Sequence, residues 1–444
     1  MKKIRFMFRH LSPFQIITGS FLILIALGSF LLVLPVSSSG EKCSLIDAVF
    51  TAGSAVCVTG LVVHNTSTFW SGFGKSVILV LIQIGGLGVI TVVIAASIFS
   101  GKRIGLRQRD LMQNAINAPI IGGIIRFTKF LLFFTVIAEL AGAVMLTPVF
   151  AKVYGIGGGI RKAVFHSVSA FCNAGFDILS DRAAFSSLTD YRGNVVLNLV
   201  IMSLIVAGGL GFLTWNELIE KRFRLKVVKL QTKLVLLTTA LLLLVPALFF
   251  FFFEFRGEHL VNRLLFSAFS SVTTRTAGFN TVPIDGLSEG SRLIMIALML
   301  IGGSPGSTAG GMKTTTIAVL LIASGSYIRR EKSYNAFGRA ISSYTVLGAL
   351  TILALYLGLF FIGSLVISVG EGLPVIDCMF ETASALGTVG LTTGITPQLG
   401  TVSKIILILF MYFGRVGGLT LAYAALGNGK ADSGRLPQEA VMIG

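Results

Sequence analysis

Long apolar runs alternate along the chain with short stretches that are only moderately apolar. Runs long enough to cross a bilayer, about 20 residues each, lie near 13–35, 73–99, 127–150, 194–219, 230–253, 291–325, 340–369 and 401–427. They predict eight spanning helices, an even number that returns both ends of the chain to one side. Between alternate pairs lie 44–61, 160–176, 260–279 and 374–391, too short to cross, each ending in Gly followed by a large apolar residue. The first run follows a basic segment, as a leader would. It is long enough to span and no clean small-residue cleavage pattern closes it, so it reads as a retained helix.

The four short stretches repeat one phrase. They read SLIDAVFTAGSAVCVTGL, RKAVFHSVSAFCNAGF, NRLLFSAFSSVTTRTAGF and VIDCMFETASALGTVGL. Phe50, Phe165 and Phe380 stand ten residues before Gly60, Gly175 and Gly390, whereas Phe266 stands twelve before Gly278, a two-residue insertion. A second phrase follows each copy: QIGGLGVIT, VAGGLGFLT, LIGGSPGST and RVGGLTLAY. In that register Arg415 shares a column with Gln83, Val206 and Leu300. The unit is helix, re-entrant segment, helix, and it predicts repeats at 13–101, 127–220, 230–328 and 338–428, with end segments 1–12 and 429–444. The expected fold is an all-α polytopic membrane protein with four M1–P–M2 repeats in a pseudo-four-fold arrangement around one pore, comprising eight transmembrane helices and four re-entrant pore helices.

Composition removes the soluble alternatives. Hydrophobic residues make up 54% and charged residues 12%, against roughly 25% charged in soluble domains. A net charge of +17 would suggest nucleic acid in a soluble chain. Here the cations gather in alternate gaps: Lys2, Lys3, Arg5 and Arg9, then Lys102 to Lys129, Lys221 to Lys233, Arg329 to Arg339, and Lys430 with Arg435. Read as the positive-inside pattern, they put both termini in the cytoplasm and leave no reason for nucleic-acid binding. The loops 102–129 and 221–233 are candidate docking surfaces, though attraction to anionic lipid explains them equally well. Cys43, Cys57, Cys172 and Cys378 have no metal-ligand spacing and predict no disulfide framework. The gaps are too short to hold a nucleotide domain, so the chain reads as no enzyme or pump.

Re-entrant backbone is tolerated at membrane depth only where it is buried in protein or lines water. Four such turns around an axis can offer carbonyls in place of a cation's hydration shell, and glycine at each turn supplies the positive φ this needs. The residues before each glycine (Thr59, Ala174, Ala277 and Val389) carry no charge, which favours a dehydrated monovalent cation held by backbone oxygen. The candidate cation-binding residues are therefore Val58, Thr59 and Gly60; Asn173, Ala174 and Gly175; Thr276, Ala277 and Gly278; and Thr388, Val389 and Gly390. Each pore helix also aims its partially negative C-terminus inward. The stretch IGGSPGSTAGGMKTTT (301–316) resembles a phosphate loop, but Met312 separates Gly311 from Lys313, which breaks the required spacing. It reads instead as a second helix made unable to stay helical.

The four-fold plan, the phrases VCVTGL, FCNAGF, TRTAGF and GTVGL, and the glycine-rich third second helix resemble the superfamily of K⁺ transporters (Trk/Ktr/HKT) over residues 10 to 430. The closest likeness is to the KtrB-type membrane subunit of bacterial Ktr uptake systems. Only GTVGL is close to the TVGYG of K⁺ channels, so a Na⁺-conducting or weakly selective member of the same architecture is the alternative. The resemblance implies K⁺ as the transported ion, with Na⁺ activation left open, and a homodimer in the lipid bilayer. It also implies a cytosolic nucleotide-binding regulatory ring of KtrA type, with ATP or ADP on that partner and no cofactor in this chain. Finally, it implies an intramembrane gate loop, matched here by Gly302, Gly303, Ser304, Gly306, Ser307, Gly310, Gly311 and Lys313.

Four charged side chains call for partners. Lys313 is expected to contact loop carbonyls or an acid, or else to snorkel to the interface. Arg415 reads as a positive barrier opposite the loop, or as the partner of an acid such as Glu139. Arg275 should point behind the filter and pair with Glu381. Glu139 should face protein. Asp47 and Asp377, near pore-helix N-termini, read as ordinary capping and dipole partners.

Overall fold

Ser12 starts the first helix: its hydroxyl accepts from the Gln15 amide (3.2 Å) while the Gln15 side chain accepts from the Ser12 amide (3.0 Å), a reciprocal cap with Pro13 in the first turn. The computed structural model describes residues 11–100, 105–116, 123–181 and 183–426. Lys2, Lys3, Arg5, Arg9, Lys102, Arg103, Lys430 and Arg435, and the segment 429–444, lie outside the described residues. The helices in order are α1 (Pro13–Val33), α2 (Leu45–Val56), α3 (Gly72–Leu87), α4 (Val89–Phe99), α5 (Leu106–Ile116), α6 (Ile124–Phe171), α7 (Val195–Gly209) and α8 (Phe212–Glu220). There follow α9 (Leu230–Phe249), α10 (Leu260–Thr273), α11 (Glu289–Leu300), α12 (Thr314–Ile328), α13 (Ser343–Glu371), α14 (Val375–Gly387), α15 (Thr401–Val416) and α16 (Gly418–Leu426). A two-stranded hairpin, Tyr334–Ala336 with Arg339–Ile341, precedes α13.

Four segments are long and apolar enough to cross a membrane as single helices: α1, α6, Leu230–Glu254 and α13. Only about a third of each is buried within the chain, and Ile23, Phe133, Leu244 and Phe361 stand exposed. Large apolar side chains facing outward on every long helix suit a lipid solvent. The chain is a multi-pass membrane protein. The core lies where the short helices converge, and Phe50, Phe165, Phe266 and Phe380 are all buried there.

The run 127–150 and the short stretch 160–176 form one element, α6, that reverses at Gly155 (φ 70°, ψ 171°). Past the reversal Gly159 lies so close to Ala151 that an added Cβ would come within 2.7 Å of backbone. Two residues eight apart cannot touch in a straight helix, so the second half folds back on the first.

The second long run of each unit was expected to be one straight span, broken only in the third. The structure corrects this. α3 and α4 meet at 91°, α7 and α8 at 90°, and α15 and α16 at 96°. The breaks fall at Gly88, Gly211 and Gly417, with φ of 85°, 87° and 93°, a region where a Cβ is strained and glycine is not. The run 291–325 is parted into α11 and α12 by residues 301–313. All four runs are therefore interrupted at the same place, three by one glycine and one by a loop.

The break glycines also reset the register of the last phrase. Gly85, Gly208 and Gly414 each lie three residues before a break glycine, and an added Cβ on any of them would overlap a carbonyl oxygen at the end of a short helix: Val56, Phe171 and Leu386 respectively. Arg415 therefore shares its column with Gly86 and Gly209, not with Gln83 and Val206. Matching GG to GG misplaced it by three residues, because positive φ and close approach, not the dipeptide, set the equivalence.

Candidate functional site

Each short helix (α2, the second half of α6, α10 and α14) ends in a turn whose geometry follows from its sequence. Gly60, Gly175, Gly278 and Gly390 all have positive φ, between 67° and 95°. The residue two before each does as well: Val58 57°, Asn173 59°, Thr276 61° and Thr388 51°. Positive φ is unusual for a non-glycine residue and strained for β-branched Val or Thr. Sequence reading named these four residues but found no sign of this conformation. The strain is held by hydrogen bonds back to the helix. The Thr59, Ala174 and Val389 amides donate to the carbonyls of Ser54, Ser169 and Ser384 at 2.7–2.8 Å, and the Ala277 amide donates to Thr273 at 3.0 Å. The Gly60 and Gly390 amides donate to the hydroxyls of Ser54 and Ser384, both at 3.0 Å.

With the amides turned back, the carbonyls face the neighbouring turns, and they close a ring. An added Cβ on Gly175 would come within 2.7 Å of Ala277 O, and one on Gly278 within 2.5 Å of Val389 O. A Cβ on Gly390 would run into Thr59 O, and one on Gly60 into Ala174 O. Four carbonyls and four glycines thus interlock in a closed circuit. Three hydroxyls of these turns, Thr59 Oγ1, Thr276 Oγ1 and Thr388 Oγ1, are buried with no hydrogen-bond partner among the described residues. Buried polar groups are ordinarily paired, so unspent oxygens clustered here are a local exception.

The loop 301–313 lies directly against this ring. An added Cβ on Gly310 would overlap Thr388 Oγ1, and one on Gly311 would sit 2.9 Å from Gly387 O. Breaking a helix leaves carbonyls without amide partners, and the loop satisfies some of those at the second and fourth breaks. Ser304 and Thr308 amides donate to Gly209 O (3.0 Å) and Gly208 O (3.3 Å), and the Gly311 amide to Gly414 O (3.1 Å). The Thr308 hydroxyl reaches Phe171 O (3.0 Å) and Asn173 Oδ1 (3.2 Å). Within the loop, Gly302 N donates to Met312 O (2.7 Å) and Gly303 N to Gly310 O (3.4 Å). Gly306 O accepts from the Phe212 amide (2.8 Å).

Two cations complete the arrangement. Lys313 Nζ donates to Ala309 O at 2.8 Å, the loop-carbonyl contact rather than the interface. Arg415 donates to Thr308 O on the loop and to Gly85 O and Gly86 O (2.9 Å) at the first break. All of these partners are carbonyls, and Arg415 pairs with no acid among the described residues, so the pairing with Glu139 does not occur. Glu139 instead accepts from Gln83 Nε2 at 3.3 Å, with Cys172 Sγ at 3.9 Å. Loop and cations border a cavity of about 350 Å³ lined by Gly86 to Thr91, Gly306, Met312 and Gly414 to Thr420.

The expected Arg275–Glu381 pair is also absent. Arg275 is buried behind the ring, as its charge requires, but faces Ile205, Val206 and Leu243 in α7 and α9, and among the described residues reaches only Gly302 O at 3.5 Å. The expected two-residue insertion in the third phrase is not there. Ser271 and Thr273 bond Leu243 O and Phe279 O as Ser167 and Ser169 bond Glu139 O and Phe176 O, so Phe269 takes the column of Phe165 and the phrase is one residue shorter. Glu381, fully buried, accepts from the hydroxyls of Thr392 and Thr396 (2.9 Å). Neither Asp47 nor Asp377 caps its helix, since Ser44 caps α2 and α14 follows Pro374 without a side-chain cap; each stands in the first turn and pairs with a cation. Asp47 meets Lys404 at 2.8 Å and His64 at 3.3 Å, and Asp377 meets Arg292 at 3.4 Å. The signal was the fourth position of α11 and α15, which carries a cation in each.

Comparison with known proteins gives a consistent family. Residues 2–430 match the TrkH family, described as cation transport protein. The chain is 40% identical over 448 residues to the potassium/sodium uptake protein NtpJ of Enterococcus hirae, covering 98% of each chain. It is 39% identical over 419 residues to the Ktr system potassium uptake protein B of Bacillus subtilis, covering 93% of each. Its fold is similar to the crystal structure of the potassium transporter TrkH from Vibrio parahaemolyticus, with a TM-score of 0.74 at 19% identity, covering 95% of this chain and 86% of that one.

Proposed function

Since the chain belongs to the TrkH family of cation transport proteins, we propose that it is the K⁺-translocating membrane subunit of a bacterial potassium uptake system. The observation that carries this reading is the closed circuit of Thr59, Ala174, Ala277 and Val389 carbonyls against the four glycines. Uncharged oxygens in a ring can replace the hydration shell of a monovalent cation, and the unspent hydroxyls of Thr59, Thr276 and Thr388 add ligands just beside it. In this reading the ring is a filter, four M1–P–M2 units surround it, and each second helix, bent or looped, completes a span to give eight. The Ktr system relative is named for potassium and the NtpJ relative for potassium and sodium, so K⁺ is the ion both names share.

The loop 302–313 is the gate in this reading. It lies across the path below the filter, tied to the second and fourth breaks by its own amides and to the first through Arg415. Lys313 stiffens the loop from within. The relatives named as Ktr system proteins support a partner subunit. We take it to be a cytosolic nucleotide-binding ring acting on a homodimer in the plasma membrane, with both termini cytoplasmic and no cofactor in this chain. The test is ion flux into proteoliposomes holding the purified chain, alone and with a partner ring, under equal K⁺ and Na⁺ gradients. K⁺ flux well above Na⁺ flux is expected; equal fluxes of the two ions in both preparations would overturn K⁺ selectivity.

A further inference from the structure

Charges around the glycine ring pair in two of the four intervals, a third is neutral, and one breaks the rule. The fourth residue of the helix after each glycine phrase is Lys75, Asn198, Arg292 or Lys404, and the residue three before Phe50, Phe165, Phe269 and Phe380 is Asp47, Lys162, Phe266 and Asp377. Arg292 pairs with Asp377 and Lys404 with Asp47, each cation meeting the next short helix around the ring. By the same geometry Lys75 should meet an acid at position 162. It meets a second lysine.

Lys75 and Lys162 both line a cavity of about 580 Å³ between α3 and the second half of α6, together with Arg161, Ser76 and Ile178. Among the described residues no acid lines that cavity. Lys75 Nζ donates to Ser67 O (2.5 Å), and Lys162 Nζ to Ile178 O (2.5 Å) and Asp181 Oδ2 (2.7 Å). Asp181, whose other oxygen takes the Ser67 hydroxyl, is one carboxylate among three cations. Burial alone would raise its pKa, but Lys162 and Ser67 hold it below the usual carboxylate range. Asp177 spends its Oδ1 on the Ser180 hydroxyl (2.7 Å) and the Leu179 and Ser180 amides and makes no ion pair among the described residues. Arg161 makes one long bond, to Gly157 O at 3.4 Å, and is otherwise exposed.

Like charges held side by side in a partly dehydrated cleft are costly unless an anion joins them. The cavity falls within the size range of ligand sites. Its surroundings identify the anion's other end, since Phe73, Ile160 and Val164 stand exposed beside it on a surface that faces lipid. We propose that this cavity binds the phosphodiester of an anionic phospholipid, its headgroup between Lys75, Arg161 and Lys162 and its acyl chains along Ile160 and Val164. The lipid takes the place of the carboxylate that Arg292 and Lys404 meet in two other intervals of the ring, and ties the first unit to the second.

The test uses the full chain, delipidated in neutral detergent, with thermal unfolding and native mass spectrometry read against phosphatidylglycerol, phosphatidylcholine and inorganic phosphate. Phosphatidylglycerol should bind about tenfold more tightly than phosphatidylcholine, and Arg161→Gln with Lys75→Gln should reduce that binding by a similar factor, about one charge-assisted contact. Lys42→Gln, whose exposed side chain does not line the cavity, should leave it unchanged. Arg161→Gln alone touches only an exposed side chain, so it serves if the double variant does not fold. Equal binding of the two lipids, or equal losses in Arg161→Gln and Lys42→Gln, would overturn the site. Stabilisation by inorganic phosphate matching that by phosphatidylglycerol would overturn a lipid as its occupant.

Discussion

Replacing Gly390 by alanine should abolish K⁺ uptake while leaving the protein inserted in the membrane. Two costs add at this position. A φ of 95° is strained for any residue with a Cβ, by about 1–2 kcal/mol. The new methyl would also run into Thr59 O, with Gly60 Cα at 2.9 Å. Both neighbours are backbone of the adjacent turn and cannot rotate away, so the carbonyl ring itself must open. A displacement worth only about 1.4 kcal/mol at the rate-limiting site already costs tenfold in rate, and uptake should fall by at least that factor. Gly372 separates the two costs, because it has a φ of 67° but no atom within 4 Å of an added Cβ. Gly372→Ala should lose some stability and keep near-normal uptake. The measurement is initial K⁺ uptake, normalised to membrane-inserted protein. Wild-type uptake by Gly390→Ala, or equal losses in both variants, would mean the ring is not the path.

Arg415→Ala should act in the opposite direction and raise flux. The guanidinium ties the loop, through Thr308 O, to the first helix break, through Gly85 O and Gly86 O. Hydrogen bonds to charged groups contribute about 1.5–3 kcal/mol each. Losing the net worth of one would shift the closed-to-open ratio by roughly tenfold. The same substitution removes a positive charge beside the path. Arg415→Gln distinguishes the two effects, since it keeps donors for the carbonyls without the charge. If latching dominates, its flux lies between wild type and alanine; if charge dominates, it matches alanine. Deleting 305–311, which removes the bonds of Thr308 and Gly306 at once, should raise flux further. Unchanged or abolished flux in Arg415→Ala, with normal thermal stability, would count against the gate.

Much of this architecture is legible in the sequence, because lipid imposes strong rules. Apolar runs locate the long helices, and a phrase repeated four times locates the short ones. That Arg275 must avoid the ring follows from its charge. What could not be read depends on backbone conformation and distant partners. Nothing in the residue types of Val58 or Thr388 announces a positive φ, which is imposed by the amides bonding back to Ser54 and Ser384. The three bends at Gly88, Gly211 and Gly417 were hidden because a glycine inside an apolar run reads as packing as readily as breaking. Matching the last phrase by its glycine pair then misplaced Arg415, whose column is set by the bend. Glu139 found Gln83, an uncharged partner that pairing by charge passes over, and Arg275 turned to Gly302 O behind the ring rather than to Glu381.

The most direct measurement is growth of a K⁺-uptake-deficient bacterium at low external K⁺, comparing the wild-type chain with Gly278→Ser, in each case with and without a partner ring. Gly278 has a φ of 79°, and a Cβ there would lie 2.5 Å from Val389 O. Rescue by wild type and failure of an equally inserted Gly278→Ser is the expected result. Failure of wild type in both settings, despite normal insertion, would contradict K⁺ translocation, and rescue by Gly278→Ser would contradict the glycine ring as its path.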